Sequence, residues 1–332
     1  MRRFQDRDFA TLNFQKKLGR PPNLDNPDSL NETVAHQISR DRPPIPMRRF
    51  QERELVVRKF TRSFGRPPNL NNPTTFNEKV AYKILHDRRP ILTRLQDKLQ
   101  ARDYVAQRIG AEYLSEVYQV RRSSREIDWG TLPERFVIKM NHGCGMNIFV
   151  TDFVTDIPRY WVSRIESILN RWSATNWYES GQEWAYLHIR PAIFVEEMLR
   201  EPDGTMALDW KFWVFDGRVE FLSVNVDQLT DKRTNYYDRS LTQQPLCRCY
   251  PNFPTHPTFP DNIDLMFSLA ERLGRGLDFV RVDMYNIGGR IVFGEFCHYP
   301  DAGLAPFGPP EFDQLYGSKW HWPPDYGQTS RR

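Results

Sequence analysis

The stretch "FVRVDMYNIGGRIVFGEFCHYP", Phe279 to Pro300, constrains the fold more than any other part of this chain. Val280, Val282 and Met284 alternate with Arg281, Asp283 and Tyr285, and apolar residues resume after Gly288-Gly289. Period-two alternation on both sides of a glycine pair predicts an antiparallel hairpin. "DWKFWVFDGRVEFLSVNVD" predicts a second one, turning at Asp216-Gly217. Around these lie helical patterns. "RLQDKLQARDYVAQRIG" runs from Arg94 to a terminal Gly110, "PRYWVSRIESILNRW" repeats its apolar residues at helical spacing, and "NIDLMFSLAERLGRG" carries Gly274 at its end. "RFVIKM", "NIFV" and "AIFVEEML" predict further strands. Hairpins mixed with helices give an α+β class.

Asp283 and Glu295 are 12 residues apart (295 − 283) on the first hairpin. Two carboxylates about 4 Å apart repel by roughly 4 kcal/mol at an effective dielectric near 20. A three-residue loop, Gly288-Gly289-Arg290, puts both acids on one face with Arg281 and Cys297, leaving Val280, Val282, Met284, Val292 and Phe296 for a core. A two-residue Gly288-Gly289 loop splits the acids across the sheet. On a shared face the repulsion is offset either by Arg281 or by a hard cation; Mg²⁺ takes one or two carboxylates plus substrate phosphates.

"FVIKMNHGCGMNIFV" places Lys139 at the end of a strand, before Gly143 and Gly145. Backbone N–H groups freed by such glycines can cradle phosphate while a lysine supplies a point charge. A tight hairpin turn is the plainer account, with His142 satisfying the turn. No Gly-Lys-Ser/Thr follows, so this is not a Walker A loop.

The N-terminus is duplicated. "MRRFQDRDFATLNFQKKLGRPPNLDNPDSLNETVAHQISRDRPPI" from Met1 returns from Met47 as "MRRFQERELVVRKFTRSFGRPPNLNNPTTFNEKVAYKILHDRRPI", with roughly half the positions identical. Each copy reads as a basic helix ending at Gly19 or Gly65, a "RPPNL" connector and a capping box, Ser29/Glu32 or Thr75/Glu78, opening a short helix. Lys79 and Arg88 could grip an anionic substrate, or the second copy could simply dock on the body; docking is the expectation. Thr33 stands where the second copy has Lys79.

A net charge of +4 is too small to argue for nucleic acid. No apolar run is long enough to span a bilayer, and "MRRFQDRDFATLNF" lacks a signal-peptide core, so a cytoplasmic location is expected. Cys247 and Cys249 could be half of a zinc site, but no second pair follows, and free thiols are expected at Cys144, Cys247, Cys249 and Cys297.

The stretches "NLNNPTTFNEKVAYKILHDRRPIL", "LQDKLQARDYV", "FVIKMNHGCG", "FVEEML", "DWKFWVFDG", "NYYD" and "FVRVDMYNIGGRIVFGEF", in this order, resemble the TupA-like group of the ATP-grasp superfamily, linked to teichuronopeptide and other surface-polysaccharide biosynthesis. The resemblance implies two α+β lobes clamping ATP and a carboxylate–amine ligase. It divides the chain into repeat copies at 1–46 and 47–92, lobes at 93–195 and 196–318, and a tail at 319–332. It implies that Lys139 and Lys98 contact ATP phosphates under the Gly143–Gly145 loop, that Glu196, Glu197 and Met198 hold adenine and ribose, and that Asp283 and Glu295 bind Mg²⁺. Arg281 would steady the transferring phosphoryl group and the tetrahedral intermediate. Lys211 and Arg233 are candidates for the acid substrate or its phosphate, and Asp227 or Asp238 for the amine. Many ATP-grasp ligases carry Asn two residues after the metal glutamate; this chain has Cys297, a poor ligand for Mg²⁺. The alternatives are a glycosyltransferase-like enzyme, an ATP-grasp phosphotransferase in glycan biosynthesis, or a non-catalytic scaffold.

Overall fold

The computed structural model describes residues 9–12, 49–151, 153, 159–226 and 232–321. In chain order the elements are β1 (Phe9–Leu12), α1 (Arg49–Phe64), α2 (Phe76–His86), α3 (Pro90–Gln96), α4 (Gln100–Arg108), β2 (Val117–Arg121), β3 (Phe136–Met140) and β4 (Asn147–Val150). They continue with α5 (Arg159–Ser173), α6 (Tyr178–Gly181), β5 (Ile193–Glu197), β6 (Asp209–Phe215), β7 (Arg218–Val226) and β8 (Arg233–Asp238). The last are α7 (Ile263–Gly274), β9 (Phe279–Ile287), β10 (Arg290–Cys297) and α8 (Glu311–Lys319). The α+β expectation holds: helices accompany two five-stranded sheets.

The chain forms two compact units. The smaller holds β1, Val117–Thr175 and Pro191–Met198; the larger holds Arg49–Glu116, Asn176–Arg190 and the chain from Leu199 onward. These boundaries differ from the expected lobes, because residues 93–116 and 176–190 pack with the larger unit.

The smaller unit is built on a sheet ordered β1-β4-β3-β5-β2, antiparallel except where β1 joins β4 in parallel. Strand β3 is central, and Phe136, Val137, Ile138 and Met140 are all buried, as befits a strand covered on both faces. Ile165 and Leu169 of α5 are buried with them. Strand β1 falls where the first repeat was expected to be helical. Backbone pairing with an open sheet edge overrides a local helical tendency there. The Ser29/Glu32 box lies outside the described residues.

The larger unit has an all-antiparallel sheet ordered β10-β9-β6-β7-β8. One face carries Trp210, Phe212, Val214, Leu222, Val280, Val282 and Met284 against Met266, Phe267, Ala270 and Leu273 of α7 and Tyr104 and Val105 of α4. The other face carries Trp213, Phe215, Phe221 and Phe279 at one end, and these pack against the second repeat. Phe76 lies at the centre of this aromatic cluster, with ring centroids 5.1 Å from Phe279, 5.5 Å from Trp320 and 5.6 Å from Trp213. The second copy therefore docks as expected. Its Thr75/Glu78 capping box forms, and α1 stops before Gly65, at φ +71°.

Charged groups complete the docking. Lys79 Nζ donates to the carbonyls of Gly317 (2.9 Å) and Trp320 (2.5 Å) at the end of α8, and Arg88 Nη2 forks onto both oxygens of Glu52 (3.0 and 3.1 Å). Neither serves as an anion grip. Lys83 Nζ, fully buried, bridges Asp87 (3.0 Å) and Asp278 (2.9 Å). Arg89 reaches the same two acids, and Trp320 Nε1 donates to Asp278 at 2.9 Å. Trp320 is wholly buried, so the expected tail begins inside the core.

One local prediction changes. The helix expected from Arg94 to Gly110 breaks at Asp97-Lys98-Leu99, where the Asp97 carboxylate accepts from Leu99 N (3.0 Å) and from the Gln100 side chain (2.8 Å). None of the four cysteines forms a disulfide, and among the described residues no cluster of three or more His, Cys, Asp or Glu side chains is placed to hold a metal ion.

Candidate active site

In the larger unit the hairpin β9–β10 turns through two residues only, Gly288 (φ +54°) and Gly289 (φ +93°), a conformation glycine adopts without strain. That loop should split the two acids across the sheet. It does not, because a β-bulge interrupts the register between Phe293 and Glu295, so that Asp283 pairs with Glu295. Gly294 is the extra residue. A Cβ there would meet the Tyr285 ring at 3.0 Å and the Asp283 carbonyl oxygen at 3.1 Å.

The same row continues to Lys211 on β6, the partner of Asp283. Arg281 lies two residues along β9, paired with Cys297 on one side and Trp213 on the other. Arg281 Nε and Nη2 each reach an Asp283 oxygen at 2.7 Å. Lys211 Nζ lies between Asp283 and Asp209, 2.6 Å from the latter. Glu295 faces Arg281 at 3.9 Å and Lys98 at 3.3 Å. The helix break at Asp97 is what delivers Lys98 to this face.

The result is a run of six charges of alternating sign: Lys98, Glu295, Arg281, Asp283, Lys211, Asp209. The repulsion between the two acids is thus offset by the chain's own cations. Burial works to raise the Asp283 pKa, but Arg281 and Lys211 override it and hold the carboxyl below its usual range. Burial likewise opposes charge on Lys211, and Asp209 and Asp283 override it upward. Cys297 is pushed up to about 12 by burial, so its sulfur stays a neutral thiol and a poor ligand for a hard cation.

The donor set suits a divalent cation that also takes phosphate oxygens. Asp283 and Glu295 offer hard oxygens on one face; Glu295, with its side chain 30% exposed, makes the looser contacts.

Strand alternation puts Arg233, the partner of Val226, on the opposite face from Thr234 and Asn225, and its Nη1 approaches the Asn252 carbonyl at 3.5 Å. The structure does not bring it to Lys211. Asp238 caps a turn, accepting from Ser240 N (2.9 Å), Thr242 N (3.0 Å) and Gln244 Nε2 (2.8 Å). Asp227 lies outside the described residues.

Three residues near this face carried no sequence signal. Arg248 stacks over the rings of Phe307 (4.4 Å) and Trp213 (5.1 Å) and pairs with Asp301 at 3.3 Å. Asp301 itself sits at φ +52°, beside Ala302 at φ +52°. The third, Lys232, immediately precedes β8. A one-residue step separates it from Arg233, and only the fold shows which of the two basic side chains is placed near Lys211.

In the smaller unit Lys139 is the one polar position of β3. It pairs with Phe194 and Asn147, and its ammonium forms an ion pair with Glu196. Glu196 and Glu197 point to opposite faces of β5, opposite Val137 and Phe136 respectively. Met198 follows, 9% exposed. The loop after β3 is held by backbone bonds, Met140 N to Met146 O (3.1 Å) and Asn147 N to Gly145 O (2.9 Å), with Gly145 at φ +72°. His142 Nε2 faces the carbonyls of Trp172 (3.1 Å) and Thr175 (3.2 Å), so it donates to the end of α5.

A family profile described as TupA-like ATPgrasp matches residues 78–321, most of the chain. This chain belongs to the TupA-like ATP-grasp family. No curated protein matches it. Among solved structures it is similar to the ATP-grasp ligase PsnB complexed with its minimal precursor, at 12% identity and TM-score 0.36, over 63% of this chain and 53% of that one. It is similar to D-alanine–D-alanine ligase from Bacillus anthracis complexed with ATP, at 12% identity and TM-score 0.35, over 62% and 55%. The macrocyclase MdnC from Microcystis aeruginosa MRC matches at 11% identity and TM-score 0.34, over 70% and 62%. The chain thus spans little more than half the length of the first of these. Among the described residues no helix is long and apolar enough to cross a membrane.

Proposed function

We propose that this TupA-like ATP-grasp protein is an ATP-dependent carboxylate–amine ligase. The observation that carries the reading is the row Glu295–Asp283–Lys211 with Arg281 beside it. Two hard acids and two cations share one sheet face, where a triphosphate and its cation need both signs of charge. In the proposed reaction a substrate carboxylate oxygen bonds to the γ-phosphorus of ATP as the bond to the β-phosphate oxygen breaks, giving an acyl phosphate and ADP. An amine nitrogen then bonds to the acyl carbon. The C–O bond breaks, phosphate leaves with the electron pair, and the amine proton passes to solvent.

Mg²⁺ held by Asp283 and Glu295 would neutralise phosphate charge. Lys139 and Lys98 are assigned to the phosphates, the Gly143–Gly145 loop to covering them, and Glu196, Glu197 and Met198 to adenine and ribose. Arg281 would bear on the transferring group, and Lys211 on the acid. Lys139 and Lys211 both already hold carboxylates, so each would exchange one anionic partner for another on binding. Catalysis here is alignment and charge neutralisation. The substrates in view are an amino acid and a uronic or peptide-like acid, in surface-polysaccharide assembly.

The test is phosphate release from ATP and Mg²⁺ across a panel of amino acids and uronic acids, with Glu295→Gln and Asp283→Asn. Both variants should lose roughly a hundredfold or more in turnover. Glu295, being partly exposed, should do so with an unchanged melting temperature. Near-normal turnover in Glu295→Gln removes the metal role. A phosphorylated product in place of free phosphate makes the protein a phosphotransferase, and no nucleotide-induced thermal shift makes it a scaffold.

A further inference from the structure

Two acids from distant segments meet beyond the Cys297 end of the acid row. Glu183 immediately precedes the short turn Trp184–Tyr186. Lys59 of α1 fixes this segment, its Nζ donating to the Ser180 carbonyl and to Gln182 Oε1 at 2.7 Å. Gln96 ties the segment to the acid hairpin. Its Nε2 donates to the Tyr186 hydroxyl (2.7 Å) and lies 3.4 Å from the carbonyl of Phe296, the residue between Glu295 and Cys297. The Glu183 carboxyl folds back over Gly181, where a Cβ would stand 2.6 Å from its Oε1.

The second acid is Asp301. It opens a run of three residues in left-handed backbone, Asp301 (φ +52°), Ala302 (φ +52°) and Gly303 (φ +67°). Two of the three carry a Cβ, and such strain persists only where the surroundings impose it, most often at functional sites. Here Gly303 is pressed onto α2, where a Cβ would stand 2.9 Å from Val80 Cβ, and Arg248 Nη1 lies 3.3 Å from the Asp301 carboxylate. Arg248 and Arg281 both lie over the Trp213 ring, at 5.1 and 5.9 Å, so Asp301 flanks the acid row. Its side chain is 21% exposed. A carboxylate offers about four lone-pair sites, enough to hold Arg248 and a ligand together.

Their surroundings drive the two acids apart. Burial works to raise the Asp301 pKa, but Arg248 and Arg281 override it and keep the carboxyl ionised. At Glu183 burial prevails, opposed by Lys59 and aided by Asp301, and the pKa rises to about 8. Cys297 and Tyr299 are the other titratable groups in its field, and Arg88 of α2 lies over the neighbouring Trp184 ring at 5.6 Å. One acid held as an anion beside another poised near neutrality suits a group that arrives as an ammonium and must lose a proton.

We propose that Asp301 and Glu183 form the receptor for the amine substrate, Asp301 accepting from its nitrogen and Glu183 taking the proton whose loss frees the nitrogen lone pair. The proton passes from the ammonium nitrogen to a Glu183 oxygen, and the electron pair left on nitrogen forms the bond to the acyl carbon. The proton still on that nitrogen leaves to solvent as phosphate departs. The catalytic part of this assignment rests on the ligase reading. The ammonium site at Asp301 and Glu183 does not.

The experiment is carbon-13 NMR of the full chain with labelled glutamate carboxyls, titrated with pH in methylammonium chloride or in potassium chloride at equal ionic strength. The Glu183 resonance, assigned by its loss in Glu183→Gln, should titrate near 8 in potassium. Methylammonium should lower that midpoint by about one pH unit or more, and Asp301→Asn should abolish the difference. Equal midpoints in the two salts, or a Glu183 that titrates in the ordinary carboxylate range, overturn the proposal. In turnover, Glu183→Gln should lower kcat roughly a hundredfold or more and flatten its rise with pH, and Asp301→Asn should raise the KM for the amine with the KM for ATP unchanged. A Glu183→Gln enzyme that keeps the pH profile of the parent also overturns it. A methylammonium-specific shift in a protein that turns over no acid in the panel retains the ammonium site and removes the ligase reading.

Discussion

Asp283 and Glu295 stand directly opposite each other on β9 and β10 because a bulge at Gly294 undoes the parity of a two-residue turn. The turn and the bulge each shift the alternation by one, and together they restore a shared face. Arg281 reaches both acids, at 2.7 Å and 3.9 Å.

Gly294→Ala should therefore cost more in function than in stability. The added Cβ meets Asp283 O and the Tyr285 ring. Easing that contact displaces Glu295 relative to Asp283, while the Phe293 and Phe296 core can remain. Expect a loss of about 1–2 kcal/mol in denaturant unfolding and disappearance of the Mg²⁺-dependent part of any ATP-induced thermal shift. An unchanged Mg²⁺ effect would show that the pairing of the acids is incidental.

The ammonium of Lys83 is fully buried between Asp87 of the second repeat and Asp278 of the body. Lys83→Met should destabilise the protein by about 3–5 kcal/mol, since it removes one of the cations that balance Asp87 and Asp278. Lys83→Met combined with Asp278→Leu should recover a substantial part of that loss. If the two effects simply add, the network is not a coupled unit.

His298 should make the fold acid-sensitive. It is wholly buried, and neither ring nitrogen has a hydrogen-bond partner among the described residues. Burial, aided by Lys83, lowers its pKa to about 3. An unfolded histidine takes its proton near pH 6.5. The unfolded state therefore binds the proton first, and the stability this group contributes is complete above about pH 6.5 and lost as pH falls toward about 3. The loss should reach roughly 3–5 kcal/mol. In His298→Phe that component vanishes, so the difference in unfolding free energy between the two proteins should change across this window. A pH-independent difference refutes it.

In the smaller unit, Lys139→Met should weaken ATP binding by roughly tenfold or more if the lysine takes a phosphate. Glu196→Gln breaks the ion pair with Lys139. If Lys139 is then released for phosphate, and the Glu196 side chain is not itself needed for the nucleotide, ATP binding should hold or tighten. Calorimetry with ATP and Mg²⁺ distinguishes these outcomes. Unchanged binding in Lys139→Met assigns the lysine to the strand alone.

Much of this was legible before the fold was known. The glycine-pair hairpin, the Asp216-Gly217 turn, the Thr75/Glu78 box and the end of α1 at Gly65 all formed as read. What misled was the break at Asp97, because a side chain that caps a new helix competes with continuing the old one only when both helices have surfaces to pack on.

Local chemistry determined the elements: alternation made the strands, caps and prolines made the helix ends, and the family motifs marked Lys139, Asp283 and Glu295. Tertiary structure decided which faces those side chains occupy. A single bulge residue sets the partner of Glu295, one step in register separates Lys232 from Arg233, and the burial of Lys83, His298 and Trp320 depends on sheets assembled from distant segments. Side-chain direction in a strand flips with every residue, so any shift in register that depends on long-range packing is invisible to a reading of neighbours.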